Sequence, residues 1–475
     1  MIVLLTILAY FALLLAVSRL TARRTAGNDT FFRAERRSPW FMVAFGMVGA
    51  SISGVTFVSV PGMVLTSGMA YLQLCLGFIL GYVAVAFVLL PVYYRLNLTS
   101  IYTYLGQRLG RSSYLSGAWF FLLSKLVGSA VKFYVVSMIL QQFVLDALGV
   151  PFWVNAVAMV ALIWLYTRRG GVRTLVFTDV LQTSCLFASL LLIIYMVMRQ
   201  LGLDLGEALQ TVMADGRSRI FVFDDWTSRS YFWKQLLSGA FIVVVMTGLD
   251  QDMMQKNLTC RTLRDAQKDM CSYGLAFLPA NFLFLALGVL LAQLAEGSGA
   301  GLPAKGDELL PAFVQGAGTT VTVLFTLGIV AASFSSADSA LTSLTTSYCV
   351  DIRQRPADEA LRKRAHLTIC LLFVVFILLF RAAGSSSLID AIYTIVSYTY
   401  GPLLGLFAFG LFTRRSVRDR LVPVVCVASP LLCYAVDRLA AARFDYHFGY
   451  ELLLVNGLLT FVGLMALPAR TARPQ

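Results

Sequence analysis

The sequence predicts an all-α polytopic membrane protein. Of its 475 residues 58% are hydrophobic and only 13% are charged, whereas a soluble chain carries about 25% charged residues. Apolar runs close to the roughly 20 residues that span a bilayer recur from one end to the other. Two of these runs are interrupted by glycines, and basic residues gather in every second loop. We therefore expect about 13 transmembrane helices.

The predicted spans leave no room for a soluble module. We expect them near residues 2–19, 40–66, 70–94, 114–143, 150–166, 176–198, 233–252, 270–293, 312–348, 366–380, 385–412, 421–437 and 449–468. The longest gaps between them would hold only short surface or re-entrant helices. Residues 1–475 are therefore predicted to form a single transmembrane domain.

The formal net charge of +13 reflects topology rather than a nucleic-acid partner. Lys and Arg concentrate in alternate loops, among them "RLTARRTAGNDTFFRAERR", "TRRGGVR" and "TRRSVRDR". This is the positive-inside pattern, which predicts an N-terminus outside and a C-terminus in the cytoplasm. We expect a multi-pass protein of the cytoplasmic (inner) membrane, surrounded by lipid and without an evident obligate protein partner.

The second and seventh predicted spans carry signs of broken helices. Small and helix-breaking residues crowd into "GMVGASISGVTFVSVPG", and Thr247-Gly248 interrupts "GAFIVVVMTGLDQDMMQKNL". Irregular backbone at membrane depth lines a cavity or is buried in protein, although small residues also serve close helix packing. The two interruptions are five spans apart, so two blocks of five would enter the membrane in opposite directions. Such a pattern is typical of inverted-repeat transporters with a binding site at the midplane.

A hydroxyl-rich helix follows in "AASFSSADSALTSLTTSYCVDI", residues 331–352. On a helix, Ser335, Asp338, Ser339 and Thr342 lie on one face. A carboxylate inside a span is costly, so a functional role is the default; the alternative is a protonated Asp338 that only hydrogen-bonds its neighbours. Hard cations favour several oxygen ligands. The hydroxyls of Ser335 and Ser336, with carbonyls of a facing broken helix, would supply them.

Six motifs in order resemble those of the sodium:solute symporter family. They are "SISGVTFVSVPG", "TSIYTYLGQRLG", "GGVRTLVFTDVLQ", "GLDQDMMQKNLTCRTLRDAQ", "AASFSSADSAL" and "GPLLGLFAFGLFTRR". The resemblance implies a five-plus-five inverted-repeat core of the leucine-transporter type. Its parts would be an extra helix at 1–20, repeats at 39–199 and 233–413, and two C-terminal helices at 419–468. It also implies sodium-coupled import of a small organic solute by alternating access, with sodium as coupling ion and no cofactor.

The resemblance also implies where sodium binds. The ligands would be the carbonyls of Gly49, Ile52 and Ala332 and the hydroxyls of Ser335 and Ser336.

Some relatives have a second cation site, which would use Asp179, Ser335, Asp338 and Ser339 here. Asp338 stands where a hydroxyl is expected, so proton coupling through Asp338 or Asp179 is an alternative. Another alternative is a salt bridge from Asp179 to a nearby arginine. If both carboxylates face one cavity, two cations per solute are expected.

The resemblance places the solute pocket around Ser53, Thr56, Phe57, Gln73, Ser129, Met246 and Thr247. The substrate-binding arginine of the sialic acid carriers aligns with Gly128, which argues against binding a carboxylate in their way. Lys132 lies one turn further; it would serve an anionic substrate, face a carboxylate partner or snorkel towards the interface. The identity of the solute stays open.

Other classes of protein fit less well. An enzyme would need a nucleophile and base, but the two histidines, His366 and His447, lie near span ends, and neither HExxH nor GxSxG occurs. The cysteines show no paired spacing that indicates a metal site, so sodium is the only metal expected. A substrate sensor would need an output domain, and a channel fits the serine-lined site less well than alternating access does.

Overall fold

The computed structural model describes residues 2–22, 27–299, 301–383, 388–446 and 448–468. His447 lies outside them. The main helices are α1 (Ile2–Ala22), α2 (Trp40–Ser51), α3 (Gly54–Gly62), α4 (Tyr71–Ala84), α5 (Arg111–Leu140), α6 (Phe152–Gly170), α7 (Val172–Leu201), α8 (Leu205–Ala214), α9 (Phe232–Val243), α10 (Gln251–Asn257), α11 (Leu263–Gly297), α12 (Leu309–Gly316), α13 (Thr319–Ser347), α14 (Glu359–Ala383), α15 (Leu388–Phe412), α16 (Val422–Phe444) and α17 (Leu452–Ala466). A π-helical turn continues α4, α5, α9 and α13 at its C-terminal end.

A helix or a broken pair of helices lies at each predicted span. Among the described residues, eight helices are long and apolar enough to cross a membrane, or up to nine if the bent pair is one span. The difference from about 13 has local causes. Gly54–Arg95 forms one apolar run that holds α3 and α4, and α2 and α17 are apolar but short. The remaining predicted spans correspond to α6 and α15.

The first break separates α2 from α3. The chain leaves the helix at Ile52 (φ −79°, ψ 90°) and stays extended at Ser53 (φ −77°, ψ 168°). The Ser53 side chain then accepts a hydrogen bond from the backbone N–H of Thr56 and caps α3, a role that serine favours. Since the last carbonyls of a helix have no partner within it, the break leaves the C-terminal carbonyls of α2 available inside the protein.

The second break separates α9 from α10 with a bend of 70°. The π-helical turn Val244–Gly248 ends α9, and Asp250 then adopts an extended conformation. Its carboxylate accepts the backbone N–H of Asp252 and so begins α10. Aspartate is a preferred residue at the start of a helix, which explains why the chain resumes its helix here.

Helix packing in the first block of five spans mirrors packing in the second. The second span of the first block, α4, packs against α9, and the second span of the second block, α11, packs against α2 and α3. Likewise α7 packs against α13, and α15 packs against α5. This reciprocity brings both broken pairs to the centre of the bundle.

Candidate functional site

A cavity of about 160 Å³ lies where the two breaks meet. Its walls come from both broken pairs and from α4, α5, α11, α13 and α15. A cavity that holds a single water needs a volume of only about 10–15 Å³. The cavity therefore has room for a small organic molecule, in a position that only the fold creates.

One predicted sodium ligand, Ser336, lines this cavity and contacts the end of α2. The Ser336 hydroxyl donates to the Ala50 carbonyl at 2.7 Å and is 3.3 Å from the Ala332 carbonyl. Ser335 and Ile52 are fully buried. The Ser336 hydroxyl thus faces the C-terminal end of α2, where carbonyls are free of helix bonds. The Ser335 hydroxyl instead donates to Asp179 on α7.

Gly49 lets α2 approach α7 closely. A Cβ atom at this position would collide with the side chain of Thr183. The glycine is therefore required by the packing of α2 on α7, which in turn positions the end of α2 opposite α13. The Thr183 hydroxyl is itself buried without a hydrogen-bond partner among the described residues.

The residues of the predicted second cation site form a buried polar cluster. The Ser335 hydroxyl donates to Asp179 Oδ1 at 2.7 Å. Asp338 Oδ2 accepts from the Tyr166 hydroxyl at 2.7 Å, and its Oδ1 lies 3.3 Å from the Ser339 hydroxyl. The four predicted residues are thus neighbours, but their carboxylates already have protein partners.

A lysine supplies the positive charge of this cluster. Lys256 Nζ lies 2.7 Å from Asp179 Oδ2, and the two side chains are only 2% and 1% exposed. From the sequence an arginine was the alternative partner of Asp179, because Lys256 stands in a basic segment typical of a cytoplasmic loop. In the fold, the short helix α10 carries the lysine back into the bundle, so Asp179 has its counter-charge without an added ion.

Five of the seven predicted solute-contacting residues line the cavity: Ser53, Thr56, Ser129, Met246 and Thr247. Phe57 is instead fully buried, with its ring 5.3 Å from that of Phe284. Gln73 is also fully buried; it donates to the Ser230 carbonyl and accepts from the Val222 N–H. These two side chains therefore stabilise helix and loop packing, and neither is part of the cavity wall.

A charged network that the sequence did not predict lies at the second break. Lys125 Nζ lies 3.1 Å from Asp250 and 2.7 Å from Asp252. The Tyr400 hydroxyl donates to Asp250 at 2.7 Å. All four residues line the cavity. Charged residues within spans normally pair with one another. This rule predicts that Lys125, Asp250 and Asp252 have charged partners, but it does not identify those partners.

His366 has a structural environment. It is buried, and its two ring nitrogens lie 2.9 Å from the hydroxyls of Thr167 and Thr345. The imidazole therefore links α6, α13 and α14 away from the cavity.

Comparisons with known proteins agree with this architecture. The sequence profile of the sodium:solute symporter family matches residues 31–419. The chain is 26% identical to the sodium/sialic acid symporter NanT of Aliivibrio fischeri, over 97% of this chain and 92% of that protein. It is 27% identical to the sodium-dependent multivitamin transporter of Oryctolagus cuniculus, over 84% of this chain but 64% of the relative. It is 28% identical to the human sodium/iodide cotransporter, over 50% of this chain and 36% of the relative.

Solved structures establish the fold. A sodium-coupled sialic acid symporter in a substrate-bound outward-open state matches with a TM-score of 0.84 at 21% identity, over 99% of both chains. A nucleobase-cation-symport-1 family transporter in a closed conformation matches with a TM-score of 0.55 at 15% identity, over 91% of this chain and 92% of that one. The fold is the five-plus-five inverted-repeat fold of the leucine-transporter type. The chain is a transporter and not an enzyme: it belongs to the sodium:solute symporter family, whose members couple solute transport to sodium.

Proposed function

We propose that this symporter imports a small organic solute through the central cavity, with its coupling sodium bound between α2 and α13. The sodium ligands are the carbonyls of Gly49, Ile52 and Ala332 and the hydroxyls of Ser335 and Ser336. The observation that carries this proposal is the 2.7 Å hydrogen bond from Ser336 to the Ala50 carbonyl. This contact supports the proposal because it sets a hydroxyl of α13 against the broken end of α2, whose last carbonyls have no helical partner, and a hard cation prefers such oxygen ligands.

Ser336 also explains how ion and solute binding are linked. Its side chain contributes to the cavity wall as well as to the contact with α2. A cation that orients this hydroxyl would therefore shape the solute cavity, and a bound solute would hold α2 against α13. Such reciprocal stabilisation is what coupling between two binding sites requires.

We further propose the topology that the loop charges predict. The repeats run over 39–199 and 233–413, after an extra helix at 1–20 and before two helices at 419–468. The protein lies in the cytoplasmic membrane with its N-terminus outside and its C-terminus in the cytoplasm. Transport then proceeds by movement of one repeat element against another around the central cavity.

The experiment that tests the sodium site needs no knowledge of the solute. The purified double variant Ser335→Ala/Ser336→Ala should require at least about tenfold more sodium for half-maximal thermal stabilisation, a loss of roughly 1.4 kcal/mol of binding free energy. Ser343→Ala is the matched control, because that hydroxyl is buried on the same helix but donates to the Ala340 carbonyl. An unchanged sodium response in the double variant would exclude this site.

Proton coupling is a second candidate, favoured by the surroundings of Asp338. This carboxyl is fully buried, and its hydrogen-bond partners are the neutral hydroxyls of Tyr166 and Ser339. A carboxyl in such a place can hold a proton. Proteoliposomes that accumulate solute with a proton gradient and without sodium would favour this candidate over sodium coupling.

A further inference from the structure

Lys132 places a positive charge on the wall of the central cavity. Its side chain lines the cavity and also an adjoining pocket of about 10 Å³, which Ser53, Gly54, Ser129 and Ser336 help to form. That pocket has about the size of one water molecule. The ammonium therefore lies beside the space that a solute would fill.

The two acidic residues of the cavity wall share another lysine, which balances one of their two charges. Asp250 and Asp252 are the carboxylates in the described cavity wall, and Lys125 contacts both. Lys125 and Lys132 lie two turns apart on α5. Among the described residues, Lys132 has no ion-pair partner of its own. The second carboxylate charge balances Lys132 only at a distance. An ammonium within a span normally has a contacting partner, so the ammonium of Lys132 is open to contact by a group from outside the chain.

The surroundings of Lys132 also favour a negative group. Ser129 lies one turn earlier on the same face of α5, and Ser53 and Gly54 bring the N-terminal end of α3 to the same pocket. The N-terminal end of a helix carries a partial positive charge and free N–H donors. Gly128 leaves open space beside these groups, since a Cβ atom there would touch nothing within 4 Å.

We propose that the transported solute is a small organic anion and that Lys132 binds its charged group, with Ser53 and Ser129 as hydroxyl donors. This inference rests on the proposed transport function and specifies the substrate class. Lys132 lies one turn after Gly128 on α5, so the proposal places the anion-binding side chain of this chain one turn after Gly128.

The test is sodium-driven uptake from a complex mixture into proteoliposomes. Vesicles that contain the parent protein, Lys132→Gln, Lys132→Arg or Lys268→Gln are given yeast extract and an inward sodium gradient at pH 7. Accumulated solutes are then identified by mass spectrometry. Lys268→Gln is the control for the loss of one positive charge, because Lys268 is exposed and lies outside the cavity wall.

We expect the solutes accumulated by the parent to be anions at pH 7. Lys132→Gln should reduce their uptake at least about tenfold, with partial recovery in Lys132→Arg and no loss in Lys268→Gln. Sodium-dependent thermal stabilisation of Lys132→Gln should match the parent, which shows that the variant is folded with its sodium site intact. Sodium-driven uptake of neutral or cationic solutes, or full uptake by Lys132→Gln, would overturn the anion proposal and leave symport standing. Absence of any sodium-driven uptake by the parent would overturn the proposed function and this inference with it.

Discussion

Replacing Lys256 with methionine tests whether its ammonium provides the cation that Asp179 requires. The ion pair is almost completely buried, at 2% and 1% exposure, with 2.7 Å between Nζ and Oδ2. Solvent therefore screens it little. Removing one partner of such a pair costs about 3–5 kcal/mol, because the remaining charge stays buried without compensation. Methionine keeps the apolar volume of the side chain, so the loss of charge dominates the effect.

The variant should bind sodium where the parent holds its lysine. Lys256→Met leaves in place the Ser335 hydroxyl, which lies 2.7 Å from Asp179 in the parent, and Asp338 nearby. Oxygen ligands are what a hard cation prefers. A sodium ion that enters there stabilises the folded protein by about 2.7 kcal/mol when its concentration exceeds the Kd 100-fold. We therefore expect one coupling cation per solute in the parent and a second sodium in this variant. The sequence predicts two cations only if both carboxylates face one cavity.

The assay is thermal unfolding of the purified protein in sodium and in choline. Lys256→Met should have a lower melting temperature than the parent in choline and gain more from sodium than the parent does. The double variant Asp179→Asn/Lys256→Met removes both charges; it should recover stability in choline and lose the additional sodium response. If Lys256→Met melts like the parent in choline, or gains no more from sodium, the buried ion pair does not have the role described here.

Two further predictions concern the cavity wall and the topology. Lys125→Met leaves Asp250 and Asp252 side by side without a counter-charge, so it should lower the melting temperature more than Asp252→Asn does; an equal or smaller effect of Lys125→Met would contradict the network. The topology is tested with single cysteines in a background where labelling of the native cysteines is removed. Cysteines introduced at Lys305 and Arg443 should react with a membrane-impermeant thiol reagent in intact cells, and cysteines at Ala357 and Ser416 should not. The reverse labelling would refute the predicted orientation.

The sequence by itself determined the features that depend on local composition. Apolar length gives the spans, because a bilayer demands about 20 residues per helix. The breaks follow from Gly-Ser and Thr-Gly segments that weaken a helix, and they occur between Ser51 and Gly54 and between Gly248 and Gln251. The shared face of Ser335, Asp338 and Ser339 follows from helical periodicity. Each of these features is set by residues near one another in the chain.

Only the tertiary structure decided which polar groups meet. Lys256 pairs with Asp179, and Lys125 pairs with Asp250 and Asp252, across helices far apart in the sequence. The periodicity of a membrane helix does not identify its neighbours, because the lipid-facing and protein-facing sides are both apolar. The family resemblance placed Phe57 and Gln73 in the solute pocket, whereas in the structure Phe57 packs against Phe284 and Gln73 bonds the loop at Ser230. The partners of a buried charge are thus a property of the assembled bundle.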